Sequence, residues 1–263
     1  MYVALTVIFG TAVGLSLGLT GGGGSILAVP LLVYGLGLDL RAAVAISLAV
    51  VGLTSLFGAI LQARSGMVVW RAGIILGTGG ILAAPLGAKL GAVLPDDLVL
   101  ILFAALMVYV GIRMARGGAA EEVPVGRFSC TRDEAGNPAP TLSCIIKMAG
   151  AGAVAGILSG FFGVGGGFLL VPALVWVGSV RIDRALATSL VAIALIAVSG
   201  FAANKGAAGD LSLSLAALFG AGGVAGMVVG ARLKRHLSPL VLGRVFAAVA
   251  IGAGFYVVAQ VVL

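Results

Sequence analysis

Two glycine runs, residues 20–25 (TGGGGS) and 163–167 (GVGGG), interrupt stretches that are otherwise apolar, and each is followed a few residues later by a proline, Pro30 and Pro172. Consecutive glycines break a helix because each carries a large backbone entropy and no side chain to pack. The apolar run behind each break starts a new helix. Its first N–H groups have no upstream partner, and its dipole adds about half a positive charge at that end. Such an end suits an anion. The candidate binding groups are therefore the backbone of Gly21, Gly22, Gly23 and Gly24, flanked by Thr20 and Ser25, and that of Gly163, Gly165, Gly166 and Gly167. Ser47, Thr188 and Ser189 add hydroxyls from the segments that follow, and Gln62 and Asn204 form a matched amide pair. A tetrahedral or pyramidal oxyanion needs several converging donors, and hydroxyls, amides and N–H groups supply them without a buried cation. The competing readings are close packing through small residues, hydroxyls bonded to their own helix, and amides solvated at segment ends.

Other chemistry finds little to use. The single histidine, His236, stands between Arg235 and Leu237 at a segment end, so a serine–histidine dyad within the apolar part has no base, and no enzyme activity is expected. Asp39, Asp183 and Asp210 also lie at segment ends near Arg or Lys, and no acidic residue falls in the middle of an apolar run, which removes the usual proton or sodium relay. No metal site and no cofactor is expected. Cys130 and Cys144 are too few and too poorly spaced for zinc, and both are expected as free thiols.

The elements that must position these groups are membrane spans. Of 263 residues 61% are hydrophobic and only 10% charged, and apolar runs of about 20 residues succeed one another, the length that crosses roughly 30 Å of hydrocarbon. The lipid bilayer is thus the first partner. The formal charge of +7 is spread singly over segment ends rather than gathered in one stripe, so nucleic acid is not a partner. The first segment has no basic residues before it and no distinct cleavage site, and it is expected to be retained.

Laid on itself with an offset of 142, the chain repeats. GLSLGLTGGGGSILAVP, from Gly14, falls on GILSGFFGVGGGFLLVP, from Gly156, and Ser47 falls on Ser189, Gly58 on Gly200 and Gln62 on Asn204. One residue further, GAKL at Gly87 falls on GARL at Gly230, so that Lys89 pairs with Arg232. The first membrane repeat is placed at 1–115, a charged, Pro- and Gly-rich linker loop at 116–143, and the second repeat at 144–263. Apolar segments are expected at about 2–20, 26–37, 42–63, 68–93 and 97–114, and again at about 144–162, 168–178, 184–204, 211–233 and 239–262.

Basic residues decide whether the glycine-broken segment crosses or returns. If it crosses, the 16 Lys and Arg divide 8 to 8; if it returns as a hairpin, they divide 13 to 3, with only Arg41, Lys89 and Lys205 opposite. The second split has the bias expected of an inner-membrane protein. The expected fold is therefore an all-α polytopic membrane protein of two inverted repeats, each a glycine-broken helical hairpin plus three transmembrane helices, with the linker in the cytoplasm and both termini outside. A homo-oligomer is compatible with it.

GLTGGGGSILAVPLL with AVAISLAV, and GFFGVGGGFLLVPAL with ALATSLVA, resemble the TauE/SafE sulfite exporter family over essentially the whole chain. The resemblance implies a duplicated membrane transporter and adds sulfur to the oxyanion, as sulfite or an organosulfonate. With the cell interior negative, outward movement of one negative charge is favourable by about 2.3 kcal/mol per 100 mV, so an exporter working by alternating access needs no coupling ion. The alternatives are an importer or ion-coupled exchanger of another small solute, and a membrane subunit that transports nothing.

Overall fold

The computed structural model describes residues 2–116, 130, 141–164, 166–204, 213–233 and 239–262, and among these every regular element is helical. In the first half α1 (Tyr2–Thr20) ends at the glycine run. A 3₁₀ turn (Gly23–Leu27), a single α-turn α2 (Ala28–Pro30) and a π turn (Leu31–Gly35) then form one short leg, followed by α3 (Leu40–Arg64), α4 (Trp70–Val93) and α5 (Asp96–Arg116). The second half repeats the order as α6 (Leu142–Phe162), α7 (Gly167–Trp176), α8 (Ile182–Asn204), α9 (Leu213–Leu233) and α10 (Pro239–Val262). Six of these, α1, α3, α4, α6, α8 and α9, are long and apolar enough to cross a membrane. Large apolar side chains such as Leu82, Val93 and Val198 lie exposed on the outside, as a lipid-facing surface requires.

Both short legs double back. Gly24 packs on Leu17 and Ser16, and Gly35 on Phe9, so the leg from 23 to 35 descends along α1. Each leg closes with the same bond, Leu38 N–H to Leu32 C=O at 3.2 Å and Val180 N–H to Leu174 C=O at 3.0 Å. The left-handed residue in that turn is Gly37 in the first half and Ser179 in the second. Ser179 holds this unusual conformation with its hydroxyl donated to the Cys130 carbonyl, 3.1 Å away.

The glycines that space the helices account for the close packing. Gly10, Gly14 and Gly18 of α1 lie against the backbone of Phe219, Gly223 and Met227 of α9, and Gly152, Gly156 and Gly160 of α6 lie in the same way against Leu76, Gly80 and Ala84 of α4. Numbers rise together in both pairs, so these partners run parallel, and any Cβ would meet backbone. Where equivalent helices meet, they run antiparallel: on α3 and α8, Leu48 packs on Gly200, Gly52 on Ala197 and Gly58 on Leu190. On α5 and α10, Gly111 meets Ala247 and Ile251 while Ala104 and Val108 meet Gly254. The ends of α5 and α9 and the starts of α6 and α8 therefore share one face of the bundle. The starts of α1 and α3 and the ends of α4, α8 and α10 share the other.

The free-thiol expectation is overturned. Cys130 and Cys144 form a disulfide, their Cα atoms 5.2 Å apart. The Cys130 N–H also donates to the Val177 carbonyl at 2.8 Å, which anchors this point of the linker to the end of the second short leg. The 13 residues between the cysteines are rich in turn formers, and nothing local in the sequence reveals that the two are paired.

Candidate functional site

Helix α1 ends with Gly21 in the left-handed region (φ 68°) and α6 ends with Gly163 in the same conformation (φ 71°). In each case the glycine N–H caps the helix, on Leu17 C=O and Ser159 C=O, both at 2.8 Å. The chain then turns through Gly22 (φ 153°) into the first leg and through Gly166 (φ 65°) into α7. The two turns pass each other in contact: a Cβ on Gly22 would stand 2.8 Å from the Gly167 carbonyl oxygen, and one on Gly167 would stand 2.5 Å from that of Gly22. Gly23 opens the 3₁₀ turn, Gly24 packs against α1, and Gly165 lies outside the described residues.

The hydroxyls do something other than point at a vacant site. Ser47 Oγ donates to the Gly163 carbonyl at 2.7 Å, and its repeat partner Ser189 Oγ donates to the Gly21 carbonyl. Each half thus reaches across to hold the tip of the other half's hairpin. Ser25 Oγ donates to the Gly22 carbonyl at 2.9 Å, while Thr20 Oγ1 donates to Ser16 C=O and accepts from the Gly24 N–H at 3.1 Å. Thr188 Oγ1 accepts from the Val69 N–H at 2.9 Å, tying α8 to the turn before α4. Carbonyl oxygens of Gly21, Gly22 and Gly163 that would repel an anion are in this way covered by O–H groups.

Sequence reasoning missed Ser159. Its side chain is fully buried, its Oγ has no hydrogen-bond partner among the described residues, and its Cβ packs on Gly166 at the second turn. A buried hydroxyl without a partner costs about 1–3 kcal/mol. Its repeat position is Leu17, so the duplication gave no signal. Ser55 of α3 is likewise buried and unpartnered.

Gln62 and Asn204 are not brought together. Because α3 and α8 are antiparallel, Gln62 lies near the end of the bundle where α8 starts, and Asn204 near the end where α3 starts. Gln62 lines a cavity of about 590 Å³ with Gly58, Ser65, Asp183, Met227 and Arg232. Asn204 lines a pocket of about 60 Å³ with Arg41, Val44, Ala88, Asp96 and Gly160. One N–H of the Asn204 amide donates to Gly200 C=O of its own helix at 2.9 Å, which leaves the second N–H for another acceptor.

The comparisons agree with one another. The sequence profile described as "Sulfite exporter TauE/SafE" matches residues 6–257. A "Probable membrane transporter protein" of Xylella fastidiosa (strain Temecula1) is 35% identical over 261 residues, covering 97% of this chain and 94% of the relative. The "Probable membrane transporter protein YdhB" of Bacillus subtilis is 28% identical over 187 residues, covering 71% and 72%. No solved structure matches the chain.

Proposed function

Because this chain belongs to the TauE/SafE family and is a multi-pass membrane transporter, we propose that it exports a small sulfur oxyanion, sulfite or an organosulfonate, across the cell inner membrane by alternating access between two inverted repeats. The observation that carries this reading is the reciprocal pair Ser47 to Gly163 and Ser189 to Gly21, which joins two glycine-broken hairpins from opposite halves inside the bundle. Two helix starts directed at one region from opposite sides favour negative charge there. With the carbonyls of Gly21, Gly22 and Gly163 covered and the N–H groups of Gly21, Gly24 and Gly163 already bonded, the remaining donors are the other N–H groups of the breaks and the Ser159 hydroxyl. The turns touch in this conformation, so the anion enters as they part.

Efflux of labelled sulfite and of methanesulfonate from liposomes holding the purified protein tests the reading. Flux that speeds up with the inside negative and needs no cation gradient is the expected result. Flux that requires a sodium or proton gradient would replace it with a coupled exchanger, and no protein-dependent flux of either anion would remove the sulfur oxyanion assignment.

The charge division of 13 to 3 places the linker in the cytoplasm and both termini outside. The disulfide between Cys130 and Cys144 is the observation that speaks against this orientation, because disulfides are rare in a reducing compartment. Alkylation in intact cells, before lysis, reads the redox state. A pair found oxidised there reverses the orientation.

A further inference from the structure

The two cavities lie at opposite ends of the bundle and share three equivalent positions. Gln62 in the large one corresponds to Asn204 in the small one, Ala231 to Ala88, and Asp183 to Arg41. Each adjoins one hairpin tip. Val44, which packs on Gly163, lines the small pocket, and Asp183 of the large cavity stands one turn before Leu186, which packs on Gly21. The same architecture is therefore held open at one mouth and shut at the other. A volume near 590 Å³ is within the range of roughly 300–1,000 Å³ that small-molecule sites occupy, whereas 60 Å³ leaves room for a few waters.

The cations differ in the same sense. Both cations are exposed, but Arg232 lines the open cavity whereas its repeat partner Lys89 stands outside the lining of the shut one. Across the shut mouth Arg41 reaches from α3 to the end of α4 and the start of α5, with its guanidinium 3.3 Å from the Ala92 carbonyl and 3.7 Å from Asp96. At the open mouth the equivalent Asp183 is paired with Arg181 in its own turn, 3.6 Å away, and among the described residues no ion pair links it to another helix. A topological role would account for Arg232, which sits on the face rich in positive charge. It does not account for Lys89, one of only three basic residues on the other face. A cation kept at this position in both halves serves something the two mouths share.

Resting on the transport reading above, the geometry points to a pair of anion-receiving sites, one per mouth: Arg232 with Gln62 at the mouth that is open here, and Lys89 with Asn204 at the mouth that Arg41 and Asp96 hold shut. The anion first meets a solvated cation and an amide, then passes to the glycine turns.

Everted and right-side-out vesicles test this with sulfite and methanesulfonate as probes. Loss of a charge-assisted hydrogen bond is expected to raise the half-saturating concentration about tenfold or more. For R232A the rise appears with substrate presented on the linker face, and for K89A with substrate on the opposite face. R232K and K89R restore most of it. Effects equal on both faces, or none, overturn the paired sites. In detergent, with the native cysteines oxidised, A231C is expected to react with a maleimide and A88C to resist it, and R41A to raise A88C labelling about two- to fivefold, the size of shift an exposed ion pair can produce. Equal labelling of the two in the wild-type background overturns the open and shut assignment. Wild-type flux without a face-specific effect removes the receiving sites and leaves the transporter reading intact, whereas absent flux with A231C still labelled removes the sulfur oxyanion reading and with it these sites as anion sites.

Discussion

Gly167→Leu is expected to cut transport to less than about a tenth while the protein still inserts and purifies as a folded species. The reason is the crossing of the two hairpin tips. A Cβ on Gly167 would stand 2.5 Å from the Gly22 carbonyl oxygen and 2.7 Å from the Ile193 side chain, and a Cβ on Gly22 would stand 2.8 Å from the Gly167 carbonyl. Backbone cannot rotate out of the way as a side chain can, so the tips must separate. Overpacking of this kind costs roughly 1–3 kcal/mol, or about five- to 150-fold in an equilibrium. If the tips must close on each other in every cycle, that cost falls on the cycle and not only on stability. Gly150→Leu is the control, since nothing lies within 4 Å of a Cβ there. Liposome flux normalised to inserted protein is the measurement. Wild-type flux in Gly167→Leu would show that the crossing is packing without function.

Removing the reciprocal serines is the second large effect. Ser47→Ala leaves the Gly163 carbonyl without its donor and Ser189→Ala does the same to Gly21, in both cases with the serine fully buried. A buried acceptor stripped of its partner costs about 1–3 kcal/mol in water-soluble proteins. Hydrogen bonds between membrane helices average nearer 0.6 kcal/mol, with a maximum about 1.7. We expect about 1–2 kcal/mol for each, above the membrane average because neither carbonyl is exposed to lipid or water. The two bonds lie about 18 Å apart along the bundle, since Ser189 is level with residue 59 of α3 and each helical residue rises 1.5 Å. Their costs should therefore add. Thermal unfolding of both single variants and the double variant in one detergent measures this, and a double variant within about 0.5 kcal/mol of the wild type would mean the serines hold nothing.

The composition and the 142-residue repeat made the helical membrane class, the order of elements and the two breaks legible before any coordinates, because these depend on local apolar runs and on glycine's own backbone preference. Gly21 and Gly163 occupy the left-handed cap that only glycine takes readily, and their pairing followed from the repeat alone. The partners of the hydroxyls were not legible. Ser47 and Ser189 bond carbonyls 116 and 168 positions away, contacts that no local pattern announces. Gln62 and Asn204 are equivalent in sequence yet lie at opposite mouths, since antiparallel α3 and α8 bring together only the equivalent residues near the middle of their contact. Ser159, with leucine at its repeat position, and the bridge from Cys130 to Cys144 left no trace in the repeat. Residue type and period are properties of the chain and fix what each segment can be; which oxygen meets which hydrogen depends on how the helices cross, and that was decided only by the tertiary structure.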